Sequence, residues 1–113
     1  MSAPKKWSKK DTAAVAVTAT HARAHARCSG REVLMMVISD YRSLAVWRRK
    51  DAESSRATAA HYRSRFHDEA MGQRFDGLAV ERERDAVRFD RIADRLECGD
   101  LPPGVFSDDE VGP

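Results

Sequence analysis

The 113-residue sequence predicts an all-α fold, a three-helix arrangement with one long central helix and an antiparallel hairpin of helices 2 and 3. Three observations lead to this prediction. Apolar residues recur at spacings of three and four, and no proline or glycine occurs between Arg31 and Met71. Many of the apolar residues are alanines, which favour helix and contribute little buried area. The helices are therefore expected to pack closely through small side chains.

The first helix is predicted over residues 9–27, after a flexible basic arm over residues 1–8. Ser8, followed three residues later by Asp11, forms a weak N-cap signature. Apart from Val15 and Val17, the apolar residues of this helix are mainly alanines. This composition predicts a helix that approaches a neighbour closely but binds it weakly.

The second helix has the clearest start signal in the chain. Ser29-Gly30-Arg31-Glu32 fits a capping box, in which the serine and glutamate side chains each bond the other's backbone N–H. The apolar run over residues 33–38 predicts the buried centre of the fold, and its alternative as a strand is disfavoured by the capping box. The helix would continue to Met71 unless it breaks near residues 51–55, where Asp and Ser compete for backbone hydrogen bonds.

The third helix is predicted over residues 77–98, within a single helical domain over residues 9–98. Gly72 is expected to end helix 2 and Asp76 to cap helix 3, so a short link at residues 72–75 predicts the hairpin. Gly99 and the prolines after it end the third helix. The acidic tail over residues 99–113 is predicted to be disordered, apart from Val105 and Phe106, which could pack back onto the helices.

Apolar stripes on helices 2 and 3 identify candidate core and interaction residues. Their spacing is typical of one helix face and of a coiled-coil seam, and it favours a packed core over a ligand site. The residues are Val33, Met36, Val37, Tyr41, Leu44, Trp47, Tyr62, Phe66, Leu78, Phe89, Ile92 and Leu96.

The formal net charge of +2 conceals an asymmetry between the two halves of the chain. Residues 1–66 carry 14 basic and 5 acidic side chains, whereas residues 67–113 carry 6 and 13. Halves of opposite charge can pair within one chain or between two copies. The excess of arginine over lysine and the absence of asparagine are typical of GC-rich genomes, such as those of actinobacteria and their phages.

The leading functional hypothesis is a small non-enzymatic helical protein-interaction module that self-associates or binds a helical partner protein. The stretch over residues 33–47 is more apolar than a three-helix hairpin needs to bury. The sequence contains no Gly-rich phosphate loop, nucleophile elbow or His-Glu-x-x-His motif, so we expect neither enzymatic activity nor a cofactor.

Nucleic-acid binding is the alternative function. A basic N-terminal arm and an Arg-rich first half could neutralise phosphates, with a tryptophan available to stack on a base. The overall charge balance and the acidic second half oppose this hypothesis. The candidate residues are Lys5, Lys6, Trp7, Lys9, Lys10, Arg23, Arg27, Arg48, Arg49 and Lys50.

A metal site is the least supported alternative, and none is predicted. His21, His25 and Cys28 have suitable ligand chemistry at spacings of four and three, but they lie in an Ala/Arg/His-rich stretch where histidine is incidental. No stretch approaches the ~18 apolar residues of a membrane span. The two cysteines do not form a disulfide framework, so a cytoplasmic protein without a membrane partner is expected.

Overall fold

The computed structural model describes residues 6–25 and 29–112, and these residues form helices without any strand. The helices are α1 (Lys9–His25), α2 (Arg31–Phe66), α3 (Glu69–Glu97) and α4 (Asp108–Val111). Helices α2 and α3 pack closely against each other as an antiparallel hairpin. The predicted all-α arrangement with a long central helix is therefore confirmed.

Where the sequence predicts one domain over residues 9–98, the contacts of the chain cluster in two compact units. The first, here called the core unit, comprises Met1–Tyr41 and Ile92–Pro113. The second, here called the hairpin unit, comprises Arg42–Arg91. The two units differ in the size of the side chains that they bury.

The connection between α2 and α3 is shorter and earlier than predicted. Only two residues separate the helices: His67, which has a left-handed φ of 51°, and Asp68. The Met71 N–H donates to Oδ1 of Asp68 at 3.0 Å, which is the bond expected of an N-cap. The predicted link at residues 72–75 and the predicted cap at Asp76 are therefore wrong, and helix α2 is unbroken at residues 51–55.

The starts of α1 and α2 differ in how well they follow the sequence pattern. Helix α1 begins at Lys9 as predicted, and the Asp11 N–H donates to Oγ of Ser8 at 3.0 Å. Its predicted end at residue 27 lies outside the described residues. Helix α2 begins after Gly30, whose φ of 57° is left-handed and whose carbonyl accepts from the Val33 N–H at 3.2 Å. Within the described residues, the reciprocal side-chain bonds predicted between Ser29 and Glu32 do not form.

The core unit buries large apolar side chains from α1, from the start of α2 and from the end of α3. Thr18 Oγ1 on α1 donates to the Tyr41 hydroxyl on α2 at 3.4 Å, so the most voluminous buried side chain also has a polar contact. Burial of this apolar area is the main stabilising contribution in the unit. The buried residues are Val15, Ala19, Ala22, Val33, Leu34, Val37, Tyr41, Ile92, Ala93 and Leu96.

The hairpin unit instead buries a seam of very small residues. On each helix, a small residue recurs at every seventh position and is buried. A seven-residue period keeps one face of each helix turned toward its partner, and small side chains let the two backbones approach closely. The residues are Ala45, Ala52 and Ala59 on α2, and Gly72, Ala79 and Ala86 on α3.

A ladder of ion pairs, here called the charge ladder, runs beside this seam with the same period. Helix α2 supplies an arginine and α3 an acid at every seventh residue. Arg63 Nη1 lies 2.7 Å from Asp76 Oδ2, and Arg49 Nη2 lies 2.5 Å from Asp90 Oδ2. Each rung joins a late residue of α2 to an early residue of α3, or the converse, so the ladder fits only the antiparallel direction. The arginines are Arg42, Arg49, Arg56 and Arg63, and the acids are Glu69, Asp76, Glu83 and Asp90.

The C-terminal segment follows a defined path over residues 99–112, which corrects the prediction of a disordered tail. It ends in the short helix α4, where the carboxylate of Glu110 is buried. Arg23 Nε and Nη2 donate to this carboxylate at 2.8 and 2.7 Å, and Nη2 also donates to the Val105 carbonyl at 2.7 Å. A partly buried ion pair to α1 therefore orders a segment whose acidic composition alone predicts disorder.

The two glycines inside α3 provide a test of how closely the Arg63 side chain packs against Gly72. A Cβ added at Gly72 would lie 2.6 Å from Nε and 2.8 Å from Cγ of Arg63, whereas one added at Gly77 would meet nothing within 4 Å. We expect Gly77→Ala to raise the free energy of unfolding by about 1 kcal/mol, the helix-propensity difference. Gly72→Ala should gain clearly less, because Arg63 must leave its bonds to Glu69 and Asp76.

Chemical denaturation of both variants checks this expectation. In an Arg63→Ala background, Gly72→Ala should recover the gain that Gly77→Ala shows. If Gly72→Ala stabilises the wild-type chain as much as Gly77→Ala does, Arg63 is not held across Gly72.

Candidate functional site

The side of α2 that points away from the alanine seam carries large apolar groups in solvent. Within the hairpin unit, Trp47 is 60% exposed and Val46 49% exposed. Val46 and Trp47 lie on one face of the helix together with the residues before and after them at spacings of three and four. We call this face the α2 outer face, and all of its residues are exposed: Ser43, Val46, Trp47, Lys50, Glu53, Ser54, Ala57, Ala60, His61 and Ser64.

The α2 outer face has few charged side chains for a solvent-facing helix. Of its ten residues only Lys50 and Glu53 are Lys, Arg, Asp or Glu, whereas 34% of the whole chain is of these types. The Lys50 ammonium lies 5.0 Å from the centre of the Trp47 ring, so it partly covers one side of the indole. The exposed faces of monomeric helices are usually more polar than this.

Side-chain size changes along the α2 outer face in one direction. Its first half holds the bulky residues Val46 and Trp47. Its second half holds Ser54, Ala57 and Ala60, which leave a shallow surface, and the exposed His61 follows them near the end of the face. The two charged residues lie between these halves. The face therefore has bulky apolar side chains in its first half, mostly small side chains in its second half, and two charged side chains between them.

The structure divides the predicted core and interaction residues into three classes of exposure. Three of them are exposed, so they do not belong to a core: Leu44, Trp47 and Phe66. Val33, Val37, Tyr41, Ile92 and Leu96 are buried, and Met36, Tyr62, Leu78 and Phe89 are half-buried.

Close to the hairpin link, an aromatic cluster accounts for two of these predicted residues. The Tyr62 ring stacks on Phe75 with centroids 5.6 Å apart, and Phe66 lies at 5.7 Å from Tyr62. The cluster fastens the end of α2 to the start of α3.

Several residues of the nucleic-acid hypothesis contact groups of the same chain. Trp7 Nε1 donates to Asp100 Oδ1 at 3.1 Å, and the Arg95 guanidinium lies 4.1 Å from the centre of the Trp7 ring. Hydrogen bonds from Arg95 and then Trp7 hold the pKa of Asp100 below its ordinary value. The indole N–H and one ring face of Trp7 therefore contact other residues of the same chain.

Of the described cations of that hypothesis, the three arginines have acidic partners, Lys50 lies over the Trp47 ring, and three further lysines are exposed. Arg23 pairs with Glu110, Arg49 with Asp90, and Arg48 Nε lies 3.7 Å from Asp85 Oδ2. These further lysines are Lys6, Lys9 and Lys10, whereas Lys5 and Arg27 lie outside the described residues. Nucleic-acid binding by these residues stays a prediction.

The two histidines of the metal hypothesis lie side by side on α1. The His21 and His25 rings are stacked, with centroids 5.2 Å apart and planes at 13°. The third candidate, Cys28, lies outside the described residues. Over the ranges that the structure describes, no group of three His, Cys, Asp or Glu side chains could hold a metal ion.

Comparisons of this chain with protein-family models, with curated proteins and with solved structures find no match. Across the described residues, none of the helices combines the length and apolarity needed to span a bilayer. The functional conclusion therefore rests on the geometry of the chain's own surfaces.

Trp47 is among the residues predicted from the sequence, but the face to which it belongs is not. Apolar stripes do not reveal the α2 outer face, because it is defined by few charges and small side chains. A seven-residue count of positions without Lys, Arg, Asp or Glu would have found it, since residues 47, 54 and 61 have none of these types and the series 43, 50, 57 and 64 is interrupted at Lys50 alone.

The buried carboxylate of Glu110 predicts an acid-dependent loss of stability in the core unit. The Arg23 hydrogen bond, helped by Ser107, lowers the pKa of Glu110 from 4.5 to about 2. A depressed folded-state pKa stabilises the fold above the unfolded value of 4.5 and loses this contribution as the pH falls toward 2. We expect the melting temperature to fall through this pH window.

Glu110→Gln should have a smaller fall of melting temperature over the same pH range, because the titrating group is gone. Glu32→Gln removes one exposed carboxylate and is the matched control, whose pH profile should follow that of the wild type. Thermal melts followed by circular dichroism measure both. Equal acid sensitivity of Glu110→Gln and wild type would contradict the assignment.

Proposed function

We propose that this chain is a non-enzymatic helical interaction module that self-associates through the α2 outer face. Two copies would pair their α2 helices antiparallel, related by a two-fold axis. The observation that carries the proposal is the self-complementarity of the face in both size and charge. In a two-fold contact, both copies use the same surface patch. If residue i of one copy meets residue j of the other, residue j of the first also meets residue i of the second, so the patch must be complementary to itself.

The charged middle of the face sets the register of the pair. If Lys50 of one copy lies opposite Glu53 of the other, the two-fold axis produces the same contact a second time. The same register places Val46 opposite Ala57, and Ser43 opposite Ala60. These layers follow the spacings of three and four that antiparallel helices use. Both charges are exposed in the single chain, so the pairing requires little desolvation.

Side-chain size supports the same register. The half of the face with bulky side chains in one copy would lie opposite the half with small side chains in the other. Trp47 would then lie over Ser54 and Ala57. A tryptophan in a shallow pocket of small residues is typical of the few positions that dominate interface energetics. A parallel pair would instead bring Trp47 of both copies together and place like charges side by side.

The expected dimer is weak. The α2 outer face contains only two large apolar groups, Val46 and Trp47, and spans about three heptads of one helix. Contacts of this kind belong to the small end of specific interfaces, which are commonly transient. A cytoplasmic location is part of the proposal and is supported by the exposed free thiol of Cys98, which suits a reducing compartment.

A charge swap tests the proposed dimer. Lys50→Glu or Glu53→Lys should each weaken self-association, because like charges then meet across the two-fold axis. The double variant Lys50→Glu/Glu53→Lys should restore it. Sedimentation equilibrium over a range of protein concentrations measures the effect, and circular dichroism shows whether each variant is folded.

A matched pair of apolar substitutions locates the interface. Trp47→Ser should weaken the dimer, whereas Phe66→Ser should not, although Phe66 is 61% exposed and lies on the same helix. A monomer at all concentrations would refute self-association. A dimer that survives both Trp47→Ser and the single charge changes would place the contact elsewhere on the chain.

A further inference from the structure

The outward side of α3 is basic, although the second half of the chain is acidic overall. Within the hairpin unit, the acids Asp76, Glu83 and Asp90 face α2 in the charge ladder, and Asp85 lies near Arg48. Glu81 is the exception, because it is exposed and lies three and four residues from Arg84 and Gly77 on the side away from α2. The stripe of residues beside it, here called the α3 outer face, consists of Gln73, Gly77, Val80, Arg84, Val87 and Arg91, and none of these six is an acid.

The cations of the α3 outer face have no acid of their own. Over residues 6–25 and 29–112, no carboxylate forms an ion pair with Arg84 or Arg91. This distinguishes both from Arg42, Arg49 and Arg56 on α2, each of which has an acidic partner on α3. The two unpaired guanidinium groups are seven residues apart, so they extend from the same side of the helix.

Two half-exposed valines accompany these arginines. Val80 is 41% and Val87 43% exposed, and they too are seven residues apart. A surface groove is lined by Val80, Glu83, Arg84, Val87, Arg88 and Arg91. The lining of this groove on α3 therefore combines two valines and three arginines with one acid, Glu83, which already pairs with Arg56.

We infer that the α3 outer face binds an amphipathic helix of another protein that carries acids at every seventh residue. The hairpin itself displays this recognition mode, since arginines seven apart on α2 pair with acids seven apart on α3 beside a seam of small residues. The α3 outer face repeats the arginine half of that pattern with valines at its side. Guanidinium groups pair with carboxylates in bidentate geometry, and the valines would bury the partner's apolar stripe.

An amphipathic helix fits this groove better than a nucleic-acid backbone. Phosphate-binding surfaces combine cations with polar or aromatic side chains, whereas the α3 outer face places Val80 and Val87 beside its two arginines. The binding should be sensitive to salt, because both arginines are close to solvent.

A designed helical peptide of three heptads tests the inference, with glutamate at every seventh position beside a leucine stripe. Its labelled form should bind the full chain at low salt in fluorescence anisotropy, and a matched peptide with lysine for glutamate should not. Arg84→Glu/Arg91→Glu should weaken the binding by at least about tenfold. Val80→Ser/Val87→Ser should weaken it as well.

The control variant Lys9→Glu/Arg65→Glu reverses the same number of exposed charges elsewhere and should leave the peptide's affinity unchanged. Labelled duplex DNA is titrated in parallel. Binding of the DNA with loss in Arg84→Glu/Arg91→Glu, but no binding of the acidic peptide, would overturn the inference in favour of a nucleic acid. Absence of peptide binding by the folded wild type, or equal binding by the Arg84→Glu/Arg91→Glu variant, would also overturn it.

Discussion

The seven-residue period shared by α2 and α3 is the constraint on which the hairpin depends. Small residues at one heptad position allow the backbones to approach, and charged residues beside them line the contact. A buried methyl group contributes only about 0.8 kcal/mol, so the seam has little apolar area with which to select one alignment. The charge ladder supplies that selection, since a shifted or parallel alignment would leave arginines without an acidic partner.

In the core unit, the arrangement of the helices is specified by a different kind of contact. Its buried residues are large, and side chains such as Tyr41, Ile92 and Leu96 specify their neighbours by shape. Its ion pair between Arg23 and Glu110 holds the C-terminal segment in place rather than aligning two long helices. One chain thus contains a region specified by shape and a region specified mainly by charge.

The period also organises what the chain presents to solvent. Because the acids of the charge ladder face α2, arginines outnumber acids on the opposite side of α3. Because the arginines of α2 are used toward α3, the α2 outer face is nearly free of charge. Two surfaces of contrasting chemistry therefore follow from one internal pattern. A tally of net charge by halves of the chain conceals both, since it adds groups that point in opposite directions.

The sequence pattern predicts the helices but not the residues that serve packing between them. Gly72 and Asp76 have the residue types of a helix end, yet Gly72 makes room for Arg63 and Asp76 is a rung of the charge ladder. Their chemistry was read as local when it is determined by the partner helix. The cap that forms, at Asp68, has an equally ordinary signature three residues before Met71.

Capping boxes are also hard to predict from the local sequence alone. Ser29 and Glu32 match the pattern without forming it in the described structure, whereas Glu110 accepts from the backbone N–H of Ser107 at 2.9 Å within the tail predicted to be disordered. Spacing alone does not distinguish these two serine–glutamate pairs. The second is fixed by Arg23, which is 87 residues from Glu110 in sequence and invisible to any local pattern.

The charge ladder restricts how the length of this hairpin can change during evolution. Deleting or inserting a single residue in α2 would rotate every later arginine by about 100° away from its acid. A change that preserves the ladder must add or remove a whole heptad, and must do so in both helices together. Related chains, if their hairpins differ in length, should therefore differ in steps of fourteen residues, with the link at His67 and Asp68 unchanged in size.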